Sequence, residues 1–173
     1  MDRDELHQIP ITAVFAALGV ILPPVFHMFG LGAAFLPMFL PVMMGSMLIS
    51  WKFALVLAIS SPLISWSLTG MPPLVPPLLP LITAELILQA LIISLLHVHG
   101  HRSVWLTLVV AIVIDRIILF ILVKWFAEWL HLDPAVFSIA MIAAGVPGII
   151  LQLLVIPVSL RLLKQKFPTL VQG

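Results

Sequence analysis

No Lys, Arg, Asp or Glu occurs between Leu6 and Trp51, between Phe53 and Ala84, or between Pro134 and Leu160. Uncharged stretches of that length fit a non-aqueous solvent. A bilayer core is about 30 Å thick and takes about 20 apolar residues per helical crossing. Only helices and closed barrels satisfy the backbone there. The runs do not alternate apolar and polar residues, so helices are favoured over strands. Composition agrees: 62% of residues are hydrophobic and 9% charged, and mean hydropathy is +1.26. A soluble domain carries about 25% charge. A soluble globule, a disordered tail and a nucleic-acid binder are therefore excluded. The fold class is all-α integral membrane, and residues 1–173 form one transmembrane domain. The sequence has no Cys, which removes disulfides, thiolate metal sites and Cys nucleophiles. The net charge of +1 provides no bulk electrostatic steering.

Gly, Pro and polar clusters cut the runs into six expected spans, Ile9–Met28, Leu36–Ile49, Lys52–Leu68, Leu78–Leu96, Val104–Trp125 and Ala135–Leu163. The second is short and carries Pro37 and Pro41, so a tilted, broken or re-entrant segment is expected. Six spans put both termini on one side. With the termini in the cytoplasm, Arg3, Lys52, Arg102, Arg161, Lys164 and Lys166 are inside and Lys124 stands at the outer edge. Trp51 and Trp105 then fall at the inner interface, and Trp66, Trp125 and Trp129 at the outer one. The acidic start, Met1-Asp-Arg-Asp-Glu5, does not read as a cleavable signal peptide.

Prolines concentrate between Pro23 and Pro80, most densely in Thr69-Gly-Met-Pro-Pro-Leu-Val-Pro-Pro-Leu-Leu-Pro80. Proline lacks an N–H donor and restricts its predecessor, so this stretch is a stiff loop, placed outside. The loop around Gly30–Pro37 shares that face. The two are rigid connectors or lids over an outward-facing pocket.

Three ionisable residues lie at membrane depth: Glu85 in the fourth span, and Asp115 and Arg116 in the fifth. Such groups cost at least a few kcal/mol in lipid and mark pockets or pathways. Neighbours on a helix point about 100° apart, so Asp115 and Arg116 are expected to find partners elsewhere, with Arg116 near Glu85. The cluster is a ligand site or an ion pair pinning two helices. His97-Val-His99-Gly-His101 is placed in an inner loop and read as a solvated polar tract rather than a metal site, which needs converging ligands. His27 and His131 are placed at the outer face, where either is a candidate pocket residue. No Walker sequence, Ser-x-x-Lys, Gly-x-Ser-x-Gly or His-Glu-x-x-His occurs, so no catalytic apparatus is legible. Ala13/Ala17, with Ala16 beside them, Ala54/Ala58 and Ala140/Ala144 have the spacing that lets helices approach closely in lipid.

Four segments resemble the substrate-binding S-components of energy-coupling factor (ECF) vitamin transporters. Ala13-Val-Phe-Ala-Ala17 is similar to the small-residue motif that docks on the coupling subunit. Phe35-Leu-Pro-Met-Phe-Leu-Pro-Val42 is similar to the family's second helix. Ser61-Pro-Leu-Ile-Ser65 with Leu68-Thr-Gly-Met-Pro-Pro-Leu74 is the most specific match. Pro80 followed by Glu85-Leu86 is similar to the start of the fourth helix. Asp115-Arg116-Ile117 resembles a Gly-Arg pair of the fifth, with Asp in place of Gly.

The resemblance implies a six-helix, non-enzymatic subunit in a prokaryotic cytoplasmic membrane. It would capture a vitamin-type solute from outside and dock, through Ala13, Ala16 and Ala17, on a coupling subunit with two ATPases. It would hold no cofactor or metal of its own, ATP being used by the partners. The implied substrate-binding set is Glu85, Arg116, Asp115, Met71, Pro72, His27, Phe35 and Met38, and the implied pocket lies between the outer halves of spans four to six, capped by the first and third outer loops. Asp2 stands where the metal-specific relatives carry His, which disfavours nickel and cobalt. Arg116 suits an acidic vitamin such as pantothenate. Glu85 suits an aminopyrimidine or pyridoxine-type ring, and His27 or His131 would serve cobalamin. The competing classes are a proton-coupled secondary transporter and a membrane scaffold without a solute.

Overall fold

The computed structural model describes residues 3–74, 77–122 and 143–166, and among these every regular element is helical. In chain order they are α1 (Arg3–Met28), α2 (Gly32–Phe35), α3 (Phe39–Ser46), α4 (Trp51–Thr69), α5 (Leu78–Ile93), α6 (Val104–Ile121) and α7 (Val146–Lys166). A π-helical turn, Ser94–His99, extends α5. Five of these helical stretches are long and apolar enough to cross a bilayer, the exceptions being α2 and α3. The chain is thus a multi-pass helical membrane protein. Its outward faces are apolar: Val14 on α1, Val56 on α4 and Leu154 on α7 are all exposed.

Helix directions follow from a few contacts. The Ser50 N–H donates to Gln8 Oε1 at 2.7 Å. A Cβ on Gly19 would stand 3.0 Å from Ser61 Oγ. Gln8 to Gly19 and Ser50 to Ser61 are equal steps, so α1 and α4 run parallel. The intervening segment therefore returns the length of α1, from the Met28 end to the Gln8 end. Ser94 Oγ donates to the Ile49 carbonyl at 3.2 Å, so α5 finishes at the Gln8 end. Gly148 lies against the Phe35 carbonyl, while Leu162 and Lys166 line a cavity with Phe15 and Leu18. α7 consequently starts at the Met28 end. Both proline-rich connections, after α1 and after α4, stand at that same end.

The return segment departs from the expected second span. α3 has 8 residues, a rise of about 12 Å, and cannot cross alone. Leu36 adopts a left-handed φ of 47° between α2 and α3, and Pro37 follows. Such broken backbone is tolerated at depth where protein surrounds it, and here it is surrounded. Met38, Phe39, Val42, Met43, Met47 and Ile49 are all buried in the core. At the Met28 end, α1 stops through Gly30, whose φ of 70° excludes a Cβ without strain. The Leu31 N–H then donates back to Phe26 O at 2.9 Å.

Two further boundaries differ from expectation. The expected last span is interrupted by a turn at Gly145, ahead of α7. The helical end of α5 takes in His97 and His99, which sequence alone assigns to a loop. His97 Nδ1 meets Arg102 O at 2.8 Å and His99 Nδ1 meets Ser94 O at 3.2 Å, holding the wider turn. Among the residues expected at the outer face, Lys124, Trp125, Trp129 and His131 lie outside the described residues, as do Ala140 and the first part of the span begun at Ala135.

The seam between α1 and α4 uses small residues, but not Ala13 and Ala17. α1 buries Thr12, Phe15, Gly19 and Pro23, and α4 buries Ala54, Leu57, Ala58, Ser61 and Ser65. Ala13 and Ala17 face outward. Another close approach is Gly148, where a Cβ would stand 2.6 Å from Phe35 O. The obstruction is backbone, which does not rotate away. At Gly45 the nearest obstructing atom is Leu57 Cδ2, the far end of a flexible side chain, with Phe15 Cγ and Cβ next at 3.0 and 3.1 Å. Gly148→Ala is therefore expected to lower the detergent melting temperature, with a loss of about 1–3 kcal/mol for overpacking. Gly45→Ala is expected to lose less. Equal melting of the two variants and the parent would contradict the close approach.

Candidate functional site

Hydroxyls inside this bundle are mostly satisfied by their own helices. Thr12, Ser46, Ser61, Thr69 and Thr83 each donate to the carbonyl four residues earlier, at 2.7–2.8 Å. Carboxylates, guanidinium groups and amides have no such local solution. Where they are buried, another element must supply the partner.

Glu85 and Gln89 lie one helical turn apart on α5, and Asp115 and Arg116 lie on α6. Glu85 is 5% exposed, Gln89 2% and Asp115 0%. The Arg116 side chain is 17% exposed. Glu85 sits two turns from the start of α5, about 10 Å below the Met28 end of the bundle. Arg116 donates from both Nε, at 2.9 Å, and Nη2, at 2.6 Å, to Asp115 Oδ2. Its Nη2 also lies 3.5 Å from Glu85 Oε1, an ion-pair contact longer than a good hydrogen bond. The Gln89 side chain approaches Asp115 as well.

The expectation that Asp115 and Arg116 find partners elsewhere is therefore corrected for their mutual contact. Side-chain length is the reason. The guanidinium stem curls back across the angular offset between neighbours and brings two donors to one carboxylate oxygen. The approach of Arg116 to Glu85 holds at the same time, so one cation bridges two carboxylates. The cluster retains unsatisfied atoms: Glu85 Oε1, Gln89 Oε1 and Asp115 Oδ1 have no hydrogen-bond partner among the described residues. Elsewhere the same is true of Ser65 Oγ, Thr107 Oγ1 and Gln152 Nε2. Gln89 and Gln152 are absent from the expected site. Gln89 was accessible to sequence reasoning, because position i+4 shares a helix face with Glu85. Nothing local singles out Gln152.

The other expected site residues are joined to this cluster by no hydrogen bond or ion pair among the described residues. His27 is exposed in the last turn of α1, its ring resting over Gly32, where a Cβ would collide with it. Phe35 is half-buried, its ring centroid 5.9 Å from that of Phe26. Met38 is part of the hydrophobic core. In the loop after α4, Met71 is exposed and Pro72 buried. A cavity of about 450 Å³ lies between α1, α3 and α7, lined by Phe15, Leu18, Leu40, Met44, Leu162 and Lys166 among others. It is apolar and excludes Glu85, Asp115 and Arg116. It is not the chamber expected in the outer halves of spans four to six. No group of three or more His, Cys, Asp and Glu side chains among the described residues is arranged to hold a metal ion.

Comparison with known protein families finds no matching model, and no curated protein or solved structure matches the chain either.

The geometry ranks the three charged residues. Asp115 makes both short contacts to Arg116, and Glu85 makes one longer one. Asp115→Ala is expected to cost about 3–5 kcal/mol, the usual penalty for stranding a buried charge, and Glu85→Ala less. In double-mutant cycles read by unfolding in mixed micelles, the coupling of Arg116 to Asp115 should exceed its coupling to Glu85. The reverse order would refute the contact pattern.

Proposed function

We propose that this chain is the substrate-capture subunit of an ECF-type importer. It has six crossings with both termini in the cytoplasm of a prokaryotic cell. It binds a vitamin-type solute from outside and delivers it by docking on a coupling subunit with two ATPases. The observation that carries this reading is the buried Glu85–Gln89–Asp115–Arg116 cluster. It is charged, incompletely satisfied and set in the half of the bundle nearest the proline-rich loops. A purely structural ion pair has no reason to leave three acceptors unmet in a low-dielectric interior.

Further support comes from topology and surface. The parallel run of α1 and α4 favours counting the broken α2–α3 segment as a crossing. Among the described residues, Lys52, Arg102, Arg161, Lys164 and Lys166 belong to the Gln8 end or its last turns, and the Met28 end carries no Lys or Arg. The positive-inside rule assigns the Gln8 end to the cytoplasm. Trp51 and Trp105 start α4 and α6 at that end, and Trp66 lies toward the other, in keeping with aromatic belts. Ala13 and Ala17 are outward on α1, open to a partner helix.

The second reading, a proton-coupled carrier, draws on the two carboxylates that share Arg116. Uptake into proteoliposomes separates the readings. The capture reading expects transport only with the coupling module and ATP, insensitive to an uncoupler. Transport by the isolated chain along a proton gradient would replace it with the carrier. Ala17→Trp on the outward face should reduce ATP-driven uptake at least tenfold and leave solute binding unchanged. Because the sequence contains no Cys, topology is directly testable. Leu74→Cys should react with an impermeant maleimide from outside and His101→Cys only after permeabilisation, and the opposite pattern would invert the orientation.

A further inference from the structure

Within the capture reading, on which this inference rests, we infer that the ligand is a nitrogen-rich molecule that donates N–H hydrogen bonds, of amine, amidine or aminopyrimidine type, and not an acidic vitamin. Taken alone, an arginine at depth points to a carboxylate or phosphate. The structure turns two of the three guanidinium nitrogens of Arg116 inward. Its Nε and Nη2 are both committed to Asp115 Oδ2, at 2.9 and 2.6 Å, and Nη2 also faces Glu85 Oε1 at 3.5 Å. A carboxylate ligand would add acceptors where three already lack donors.

The unmet valences point the same way. In this cluster the atoms without hydrogen-bond partners among the described residues are Glu85 Oε1, Asp115 Oδ1 and Gln89 Oε1. All three are oxygens able to accept, on side chains at least nine-tenths buried. A ligand that completes them must bring donors. Gln89 is not fixed in this respect, because an amide can turn its NH₂ outward. Asp115, held against Arg116, has no such choice. Glu85 and Gln89 share one face of α5, and Asp115 faces them from α6. A flat heterocycle with an exocyclic amino group, or a small amidine, can donate to both helices at once.

Purified wild-type protein would be titrated with thiamine, pyridoxamine, pantothenate and nicotinate, with melting temperature and calorimetric heat as readouts. A ligand that binds only the folded state raises the melting temperature. Thiamine or pyridoxamine is expected to bind, and pantothenate and nicotinate to leave the protein unchanged. Glu85→Gln should weaken the positive ligand at least tenfold, and Arg116→Lys should weaken it less than Glu85→Gln. Binding of pantothenate or nicotinate, abolished in Arg116→Lys, would overturn this inference and leave the capture reading standing. Silence across all four would count against the capture reading and take this inference with it. The wild-type titration needs no variant, so misfolding of a substituted protein cannot mask the result.

Discussion

In hydrocarbon every backbone N–H must find its acceptor within protein, because no water is present to serve as substitute. That constraint organises what the chain does elsewhere. It requires helices for the long uncharged stretches. It also explains why the Ser and Thr hydroxyls fold back onto carbonyls of their own helix, as Thr12, Ser46 and Thr83 do. It limits irregular backbone to places enclosed by protein, and α3 with its flanking turns is so enclosed. Glu85, Gln89, Asp115 and Arg116 cannot use the local device. They form a shared network between α5 and α6 that leaves Glu85 Oε1, Gln89 Oε1 and Asp115 Oδ1 unmet among the described residues.

The cluster and the broken segment have different origins. α3 is short and proline-flanked, yet it contributes some of the most buried side chains of the molecule, including Val42 and Met43. Its methionines fill an irregular space that stiffer residues would fill less well. Its enclosure lets α1 and α4 lie parallel and in contact, with Gly19 against Ser61. This arrangement leaves Ala13 and Ala17 facing outward on α1 rather than locked in an internal seam. A small-residue surface on the bundle exterior is what the proposed docking on a coupling subunit would require.

Much of this was legible in the chain itself. The charge-free runs anticipate the long helices, because a run without ionisable groups has one stable environment. The approach of Arg116 to Glu85 was legible too, since two isolated charges of opposite sign in lipid have few other partners. The contact between Asp115 and Arg116 was not. Backbone angles predict that neighbours diverge, and only the placed side chains reveal a guanidinium long enough to curl back. Of the alanine pairs, Ala54/Ala58 lies buried in the α1–α4 seam and Ala13/Ala17 faces outward, because spacing identifies a candidate face and not the side of the helix a neighbour occupies. The proposed roles of His27, Phe35, Met38, Met71 and Pro72 came from resemblance, and their hydrogen bonds and burial do not tie them to the cluster.

Sequence alone therefore determined the solvent of this protein, the helical form of its backbone and the few positions where charge would have to be accommodated. Those properties depend on transfer free energies, which attach to residues whatever their neighbours. Tertiary structure decided which charges meet, which oxygens stay unmet and which small residues become seams or open surface. Those properties depend on distances of a few ångströms between helices far apart in the chain, and no local pattern of residues encodes them.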